Sequence, residues 1–470
     1  MPEPNPPTSP TADIAAFTAA CTFADIPNSV VALAKKSILD ALGVGLAGAA
    51  DEGAGILRAY VESFGGTGSA ALLGSAAAAP PALAALSNGM AMHMDDYDDT
   101  LRSSVTDLDK GSIHPTAGIL SAVLALGQAN RCSGEALLTA YLVGVEAAAK
   151  IADALGPRHF RAGFHGTATC VGLGAAVAGA RLLGLSAEGI ATALGIAASG
   201  SAGLRENFGT MVKPYHAGQA AGTGVMAAEL AARGFTASGR ILEASRGFFS
   251  AYGDGFDRRW IDGRLGDPWA FDAPGVWIKP FPSGMRTHPG MSALQKLMKS
   301  HGFGAGDVDR LSVRTNEAVY NTLLHHRPTT GLQGKFSMEF SLAIILRDGM
   351  AGLSAFTDAT VQQPDIQALI AGVEYQAYGA EDAQAGGYTN VTTLLDIALR
   401  DGRRMQERAD YCKGSTDDPM SYQEVAEKIR ECTAFRGANA ASVEAIIDQV
   451  ARLEQLGDLA SLGRAIAGAY

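Results

Sequence analysis

The 470-residue sequence is poor in what most cofactor and nucleic-acid chemistry requires. Its five cysteines (Cys21, Cys132, Cys170, Cys412, Cys432) are scattered, with no CxxC pair, which excludes a Cys-rich zinc module and a disulfide framework. Positive charge is scarce: 37 Lys and Arg face 48 Asp and Glu, for a net charge of −11. Phosphate binding needs clustered cations, so no nucleic-acid partner is expected. Two or three cations in a pocket would still serve a small anion. The first 34 residues hold no Lys or Arg, so the basic start of a signal or transit peptide is missing and a cytoplasmic protein is expected. Long uncharged stretches, 65–92 and 163–180, carry Ala, Gly, Pro, Ser or His rather than a Leu/Ile/Val run. They read as buried helices, not membrane spans. GxxxxGK[ST], HExxH and GxSxG do not occur. The GxG strings at Gly172-Leu173-Gly174 and Gly222-Thr223-Gly224 follow no strand pattern and lack the acid of a βαβ unit. They read as small residues that let helices touch.

What is present is an apolar, glycine-rich helical text. Apolar residues make up 47% of the chain and charged ones 18%, enough to bury a sizeable core. Segments 29–46, 117–129, 135–154, 171–183 and 186–198 are small and aliphatic with few charges, as expected of helices surrounded by helices. Ser186 followed by Glu188 reads as a helix start, with an N-cap and an acid in the first turn. Four prolines between 274 and 289 break this pattern. Alternating β-like runs follow at 308–315 and 388–399, the latter closing on a turn at Asp401-Gly402. Helical patterns intervene at 292–301 and 338–347 and return at 423–432 and 441–456. The fold expected is mainly α: a large all-helical domain over 12–270, to which 411–470 return, and a smaller α+β lid domain over 271–410. Residues 1–10, rich in proline, read as a disordered tail.

The densest polar cluster is His93-Met94-Asp95-Asp96-Tyr97-Asp98-Asp99-Thr100, followed by His114-Pro115. Four acids in five positions suit a solvated loop or a Ca²⁺/Mg²⁺ site, yet the EF-hand spacing is absent. Apolar residues flank them, as they would around a functional carboxylate. Asp96 and Thr100 stand four apart, so on a helix they would share a face. His165 precedes a run of small residues, and a lone histidine there is more often structural than catalytic. Lys213-Pro214-Tyr215-His216 sets a cation and an imidazole three apart in apolar text. Such a lysine is costly to bury without a partner, or else snorkels to solvent. Lys279 in Lys279-Pro280-Phe281-Pro282 and His288 in Thr287-His288-Pro289 repeat the theme beside prolines that stiffen the backbone.

In this order and spacing the motifs carry a resemblance. Asp96-Tyr97-Asp98-Asp99-Thr100, His114-Pro115, Gly163-Phe164-His165, Gly203-Leu204-Arg205 through Lys213 to Gly218, Lys279 to Pro282, Lys335-Phe336-Ser337 and Asp418 to Ser421 resemble the MmgE/PrpD family. Its members include 2-methylcitrate dehydratase, cis-aconitate decarboxylase and iminodisuccinate epimerase. The resemblance, from about 13 to 465, implies a homodimer with neither metal nor organic cofactor, acting on a small di- or tricarboxylate. It implies Asp96, His114 and His165 as catalytic residues, and Thr100, Lys213 and Lys279 as substrate-binding ones; Arg205, His216 and His288, in or beside the same motifs, are further substrate-binding candidates. The chemistry implied is proton removal next to a carboxylate, which needs a base poised near neutral pH and cations for the enolate-like charge. Two departures stand out. The interval from Thr100 to His114 is long for the family. Ser283-Gly284 stands where the decarboxylase has a histidine, and His288 lies four residues beyond Gly284. The expected activity is therefore a dehydratase-type lyase, with an epimerase as runner-up and a decarboxylase as a further alternative; a non-catalytic homologue is not expected.

Overall fold

A computed structural model describes residues 9–65, 68–102 and 112–470. The chain is mainly α and divides into two compact units. The first comprises Met1–Met94, Asp98–Trp277 and Ser421–Tyr470; the second comprises Asp95–Tyr97 and Ile278–Met420. The divisions fall at 277/278 and 420/421, where the sequence pattern suggested 270/271 and 410/411. The short excursion of residues 95–97 into the second unit has no counterpart in that pattern.

The first unit is built from α1 (Pro10–Ala20), α2 (Asn28–Ala49), α3 (Glu52–Ser63), α4 (Pro81–His93), α5 (Pro115–Ala129), α6 (Gly134–Ala154), the single turn α7 (Arg158–Arg161), α8 (Gly166–Leu182), α9 (Ala187–Ser199) and α10 (Val212–Ala232). Helices Phe248–Tyr252, Tyr422–Phe435, Ala440–Ala451 and Ala460–Ala467 also belong to it. Helix α5 has no charged residue and is buried continuously from Pro115 to Gly127. A uniformly apolar helix is stable only inside a ring of others, here α4, α6, α8 and α10. Ser186 caps α9 as its sequence suggests, accepting from Gly189 N. Close approach explains the glycine strings. A Cβ on Gly174 would lie 2.5 Å from the Gly144 carbonyl oxygen, and one on Gly224 2.4 Å from the Ala175 Cβ. Gly172 is the exception, with ordinary 3.6 Å contact to Ala220.

Three readings of the sequence are corrected here. The first unit is not purely helical: β1 (Ala70–Ala71) pairs with β2 (Ala78–Ala79), and β3 (Thr100–Arg102) lies between β4 (Ser112–Ile113) and β5 (Val276–Trp277), all antiparallel. These strands of two or three residues are too short to show a period of two. The acid-rich stretch is not helical, because α4 ends at His93 and Thr100 already belongs to β3. Pro10, placed by its composition in a disordered tail, opens α1, where Ser9 caps Ala12 N. The rest of that tail, 1–8, and most of the long interval before His114, 103–111, lie outside the described residues.

The second unit carries a four-stranded sheet of order β7-β6-β8-β9: β6 (Val308–Asn316), β7 (Val373–Tyr378), β8 (Thr393–Leu399) and β9 (Arg404–Ala409). Strands β6 and β7 run parallel and the other pairs antiparallel, with Val313 opposite Tyr375 and Leu395. Thr393, Leu395, Ile397 and Leu399 alternate into the core, where helices His288–His301 and Met338–Asp348 meet Leu311 and Val313. The central strands β6 and β8 match the two β-like runs. Edge strands β7 and β9 are half solvated and polar, which hides them from a hydrophobic pattern. No helix among the described residues is long and apolar enough to cross a membrane.

Candidate active site

In the first unit two helix N-termini deliver imidazoles to one place. His114 is the N-cap of α5, and Pro115 supplies the preset first helical residue. Its backbone N–H donates to Thr167 Oγ1 at 3.1 Å. Thr167 lies in the first turn of α8, whose N-cap is His165. The end of α4 contributes His93, and α10 contributes Lys213 and His216. Ring centroids lie 4.5 Å apart for His93 and His114, 6.3 Å for His93 and His165, and 5.2 Å for His165 and His216. All four histidines are buried.

The neighbours of His114 set its tautomer. Nδ1 lies 2.8 Å from the Asp99 carbonyl oxygen, 3.3 Å from Thr100 Oγ1 and 3.6 Å from Asp98 Oδ2. A carbonyl oxygen can only accept, so Nδ1 carries a proton, and in the neutral ring the basic lone pair is then on Nε2. His93 Nδ1 sits 2.9 Å from both Asp98 oxygens, in a dyad removed from solvent. Asp98 thereby serves two imidazoles.

His165 and His216 face each other through their Nδ1 atoms at 3.0 Å. One must donate and the other accept, so both cannot carry a proton there. Burial, followed by the nearby Lys213 charge, pushes His165 well below the usual imidazole range. Burial again, then His93 and Lys213, lowers His216 to about 4. Phe208 closes on His165 edge-on at 4.9 Å and lies 5.9 Å from Lys213 Nζ. Lys213 is itself buried. Arg205 stacks on Phe160, with Cζ 3.5 Å from the ring centroid, and donates to the Phe160 carbonyl at 2.9 Å.

The depressed histidines have a consequence for stability. An imidazole held neutral in the folded state binds fewer protons there than in the unfolded chain below pH 6.5, so stability falls as pH falls. For His216 the window runs from the unfolded value near 6.5 down to about 4. The melting temperature should decline through that window, and His216→Gln should flatten the decline in a pH series of thermal melts. An unchanged slope would contradict the buried neutral pair.

The second unit holds the remaining sequence-predicted residues. Asp96 has φ +52°, an uncommon left-handed conformation for a non-glycine residue. Its carboxylate accepts from Lys279 Nζ at 2.8 Å, and its carbonyl accepts from the same ammonium at 2.9 Å. Lys335 Nζ donates to the Asp95 carbonyl at 2.5 Å, and Tyr97 Oη donates to the Pro280 carbonyl at 3.1 Å. Residues 95–97 are thus tied into this unit by four long-range hydrogen bonds, which hold the strained Asp96 in place. His288 opens its helix fully buried, with Nε2 3.2 Å from the Ser283 carbonyl and its ring edge-on to Phe281 at 5.4 Å.

The structure therefore brings Thr100 to His114, His165 to His216 beside Lys213, and Asp96 to Lys279. It sets Arg205 against Phe160 and His288 against the Ser283 carbonyl. Reading the sequence missed His93 and Asp98 as a pair, although both lie in the acid-rich stretch it singled out. In the first unit Asp98 is the carboxylate that faces imidazoles, those of His93 and His114. Among the described residues of that unit, His93, Asp98 and His114 are donors of the type that hold zinc, with donor atoms within 4.8 Å of one another. The Asp99 carbonyl, however, already engages His114 Nδ1.

Residues 12–261 match the MmgE/PrpD N-terminal domain and residues 281–453 the MmgE/PrpD C-terminal domain. The chain belongs to the MmgE/PrpD family. It is similar to the cis-aconitate decarboxylase of Homo sapiens, at 27% identity over 94% of this chain and 91% of that protein. The Mus musculus protein of the same name is also 27% identical, over 94% and 90%. The cis-aconitate decarboxylase of Aspergillus terreus is 26% identical over 96% and 94%. These relatives are lyases, and the chain matches them along nearly their whole length.

Proposed function

We propose that the protein is an acid–base lyase acting on a small polycarboxylate, and that its first reaction is loss of CO₂ from an unsaturated tricarboxylate of the cis-aconitate kind. The observation that carries this reading is the geometry of His114, whose Nδ1–H is committed to the Asp99 carbonyl, so that proton exchange falls to Nε2. In such a decarboxylation the bond between a CH₂ carbon and its carboxylate breaks. Its electron pair forms a new double bond, and the old double bond takes a proton at its far carbon. The enzyme must supply that proton and hold the spreading negative charge. His114 would perform the first task as the imidazolium: Nε2 takes up a proton, gives it to carbon, and the ring returns to its Nδ1–H form. The His165–His216 pair disfavours keeping an extra proton, so it would pass one on readily. Lys213 is the cation for a carboxylate in the first unit; Lys279, with Asp96, and His288 are proposed as substrate-binding groups of the second.

Dehydration is the second reading, favoured by Ser283-Gly284 in the place of the decarboxylase histidine. It would use the same groups, with a base removing the proton next to a carboxylate before hydroxide leaves. Incubation in D₂O with cis-aconitate, 2-methylcitrate and iminodisuccinate, followed by NMR, separates the outcomes. CO₂ with a new CH₂= signal supports decarboxylation, and a new alkene without CO₂ supports dehydration. Deuterium uptake without net change indicates epimerisation. Turnover of none of them would overturn the reading.

Lys213→Ala should raise the dissociation constant of the active polycarboxylate by about 10- to 150-fold, since a charge-assisted bond to carboxylate is worth roughly 1.5–3 kcal/mol. Calorimetric titration measures this, and wild-type affinity in the variant would remove Lys213 from the site.

A further inference from the structure

The base assigned to His114 is only as good as the group that fixes its ring. That group is anchored by a buried polar chain running away from the site into the helical core. Asp99 is 1% exposed, and its Oδ2 accepts from Thr116 Oγ1 at 2.5 Å. Thr116 is wholly buried, and its hydroxyl also lies 2.5 Å from Tyr141 Oη on α6. The Thr116 hydroxyl sits between the Asp99 carboxyl and Tyr141 Oη, and each of the three groups can donate or accept when the carboxyl is protonated, so the chain holds whichever way its hydrogens run. Thr116 stands two residues after His114 in the first turn of α5. A ring of bonds therefore closes: His114 Nδ1 to the Asp99 carbonyl, the Asp99 side chain to Thr116, and Thr116 through one turn of helix back to His114.

We infer that Asp99, Thr116 and Tyr141 form a positioning device that holds the Asp99 carbonyl against His114 Nδ1 and so keeps His114 in the Nδ1–H tautomer. This inference rests on the acid–base role proposed for His114 and deepens it. The Asp99 carboxyl and carbonyl belong to one residue, so anchoring the first restrains the second. Without the anchor the peptide after Asp99 is free to rotate, and Thr100 Oγ1, which can donate as well as accept, would compete for Nδ1. That competition would let the ring carry its proton on Nε2, where it cannot act as a base. The groups facing the Asp99 carboxyl are Asp98, Thr116 on α5, Tyr141 on α6, and Asp40 and Ser37 on α2. Burial foremost, with the Asp98 and Asp40 charges, lifts the carboxyl to about 8. Near neutral pH it is therefore mostly an uncharged anchor, and it does not act as a charged orienting carboxylate. That role belongs to Asp98.

The device is tested with Thr116→Val, which keeps shape and removes the hydroxyl, and Thr116→Ser, which restores it. In protein labelled with ¹⁵N-histidine, with His114 assigned through His114→Asn, the wild type should show a single Nδ1–H tautomer at pH 7. Thr116→Val should show a mixture, and Thr116→Ser should return to the wild-type pattern. With the active polycarboxylate, Thr116→Val should lower kcat by ~10–100-fold, the usual cost of losing a group that orients a functional histidine, with KM changed less than kcat. If Thr116→Val only lowers the melting temperature, and the folded protein keeps the Nδ1–H tautomer, the chain is merely structural and the inference is overturned. The tautomer measurement needs no substrate. A tautomer shift in a protein that turns over no polycarboxylate would uphold the device and sink the lyase reading; the reverse pattern would do the opposite.

Discussion

Asn in place of His114 or His165 is expected to cut turnover by about 10²–10⁴-fold, the usual contribution of a positioned acid or base, while leaving the fold intact. The choice of Asn separates chemistry from structure. Both histidines occupy helix N-caps, and neither side chain makes an N-cap hydrogen bond. Asn is among the best N-cap residues, so each variant should melt at or above the wild-type temperature. A histidine that merely capped its helix would show the opposite pattern, with lowered stability and retained rate. His114→Asn should be the more damaging of the two, because it removes the nitrogen whose lone pair the Asp99 carbonyl makes available. His165→Asn leaves His216 in place. Asp98→Asn should fall between them, since Asp98 faces His93 and His114 at once. Rates and melting curves on the same preparations decide the matter, and wild-type turnover in His114→Asn would end its assignment as the base.

Lys428→Met should destabilise the protein by about 3–5 kcal/mol, the cost of breaking a buried ion pair from one side. Lys428 Nζ lies 2.6 Å from Asp40 Oδ1, with side-chain exposures of 4% and 0%. The pair joins helix Tyr422–Phe435 to α2. Losing the ammonium would leave a carboxylate deep among helices, close to the Asp99 carboxyl. Asp40→Leu together with Lys428→Met should recover most of the loss, because no charge is then stranded. Chemical denaturation of the single and double variants measures both. A single variant as stable as wild type would show that Asp40 takes up a proton at little cost. The same stranded charge should raise the Asp99 carboxyl further, so this ion pair supports the anchor of His114 as well as the fold.

Much of the helical architecture is readable from single segments. Charge-free Ala/Gly/Leu runs such as 117–129 have one stable fate, a helix with helices on every side, and α5 occupies Pro115–Ala129. Helix α10 was harder to see. It carries Pro214, Gly218, Gly222 and Gly224, a poor set by intrinsic propensity. Packing against α4, α8 and α5 decides its state, and there the glycines become an advantage. A Cβ at Gly218 would come within 2.2 Å of the Leu86 carbonyl oxygen.

The candidate site divides in the same way. Residue types and their order along the chain identified the family and suggested the kind of chemistry, with imidazoles for proton exchange and lysines for carboxylates. These are local properties, legible wherever a motif stands. Pairings are not local. His165 meets His216 across 51 residues, Asp96 meets Lys279 across 183, and Lys428 meets Asp40 across 388. Which acid orients which imidazole depends on where helix ends and a short β-hairpin converge. The sequence placed four acids side by side without ranking them. The left-handed turn at Asp96 and the strand that starts at Thr100 then part them: Asp96 goes to Lys279, Asp98 to the two histidines, and Asp99 into the core beneath His114. A difference of one or two residues in backbone direction decides between a carboxylate paired with Lys279 and one buried beneath His114, and only the tertiary structure contains that direction.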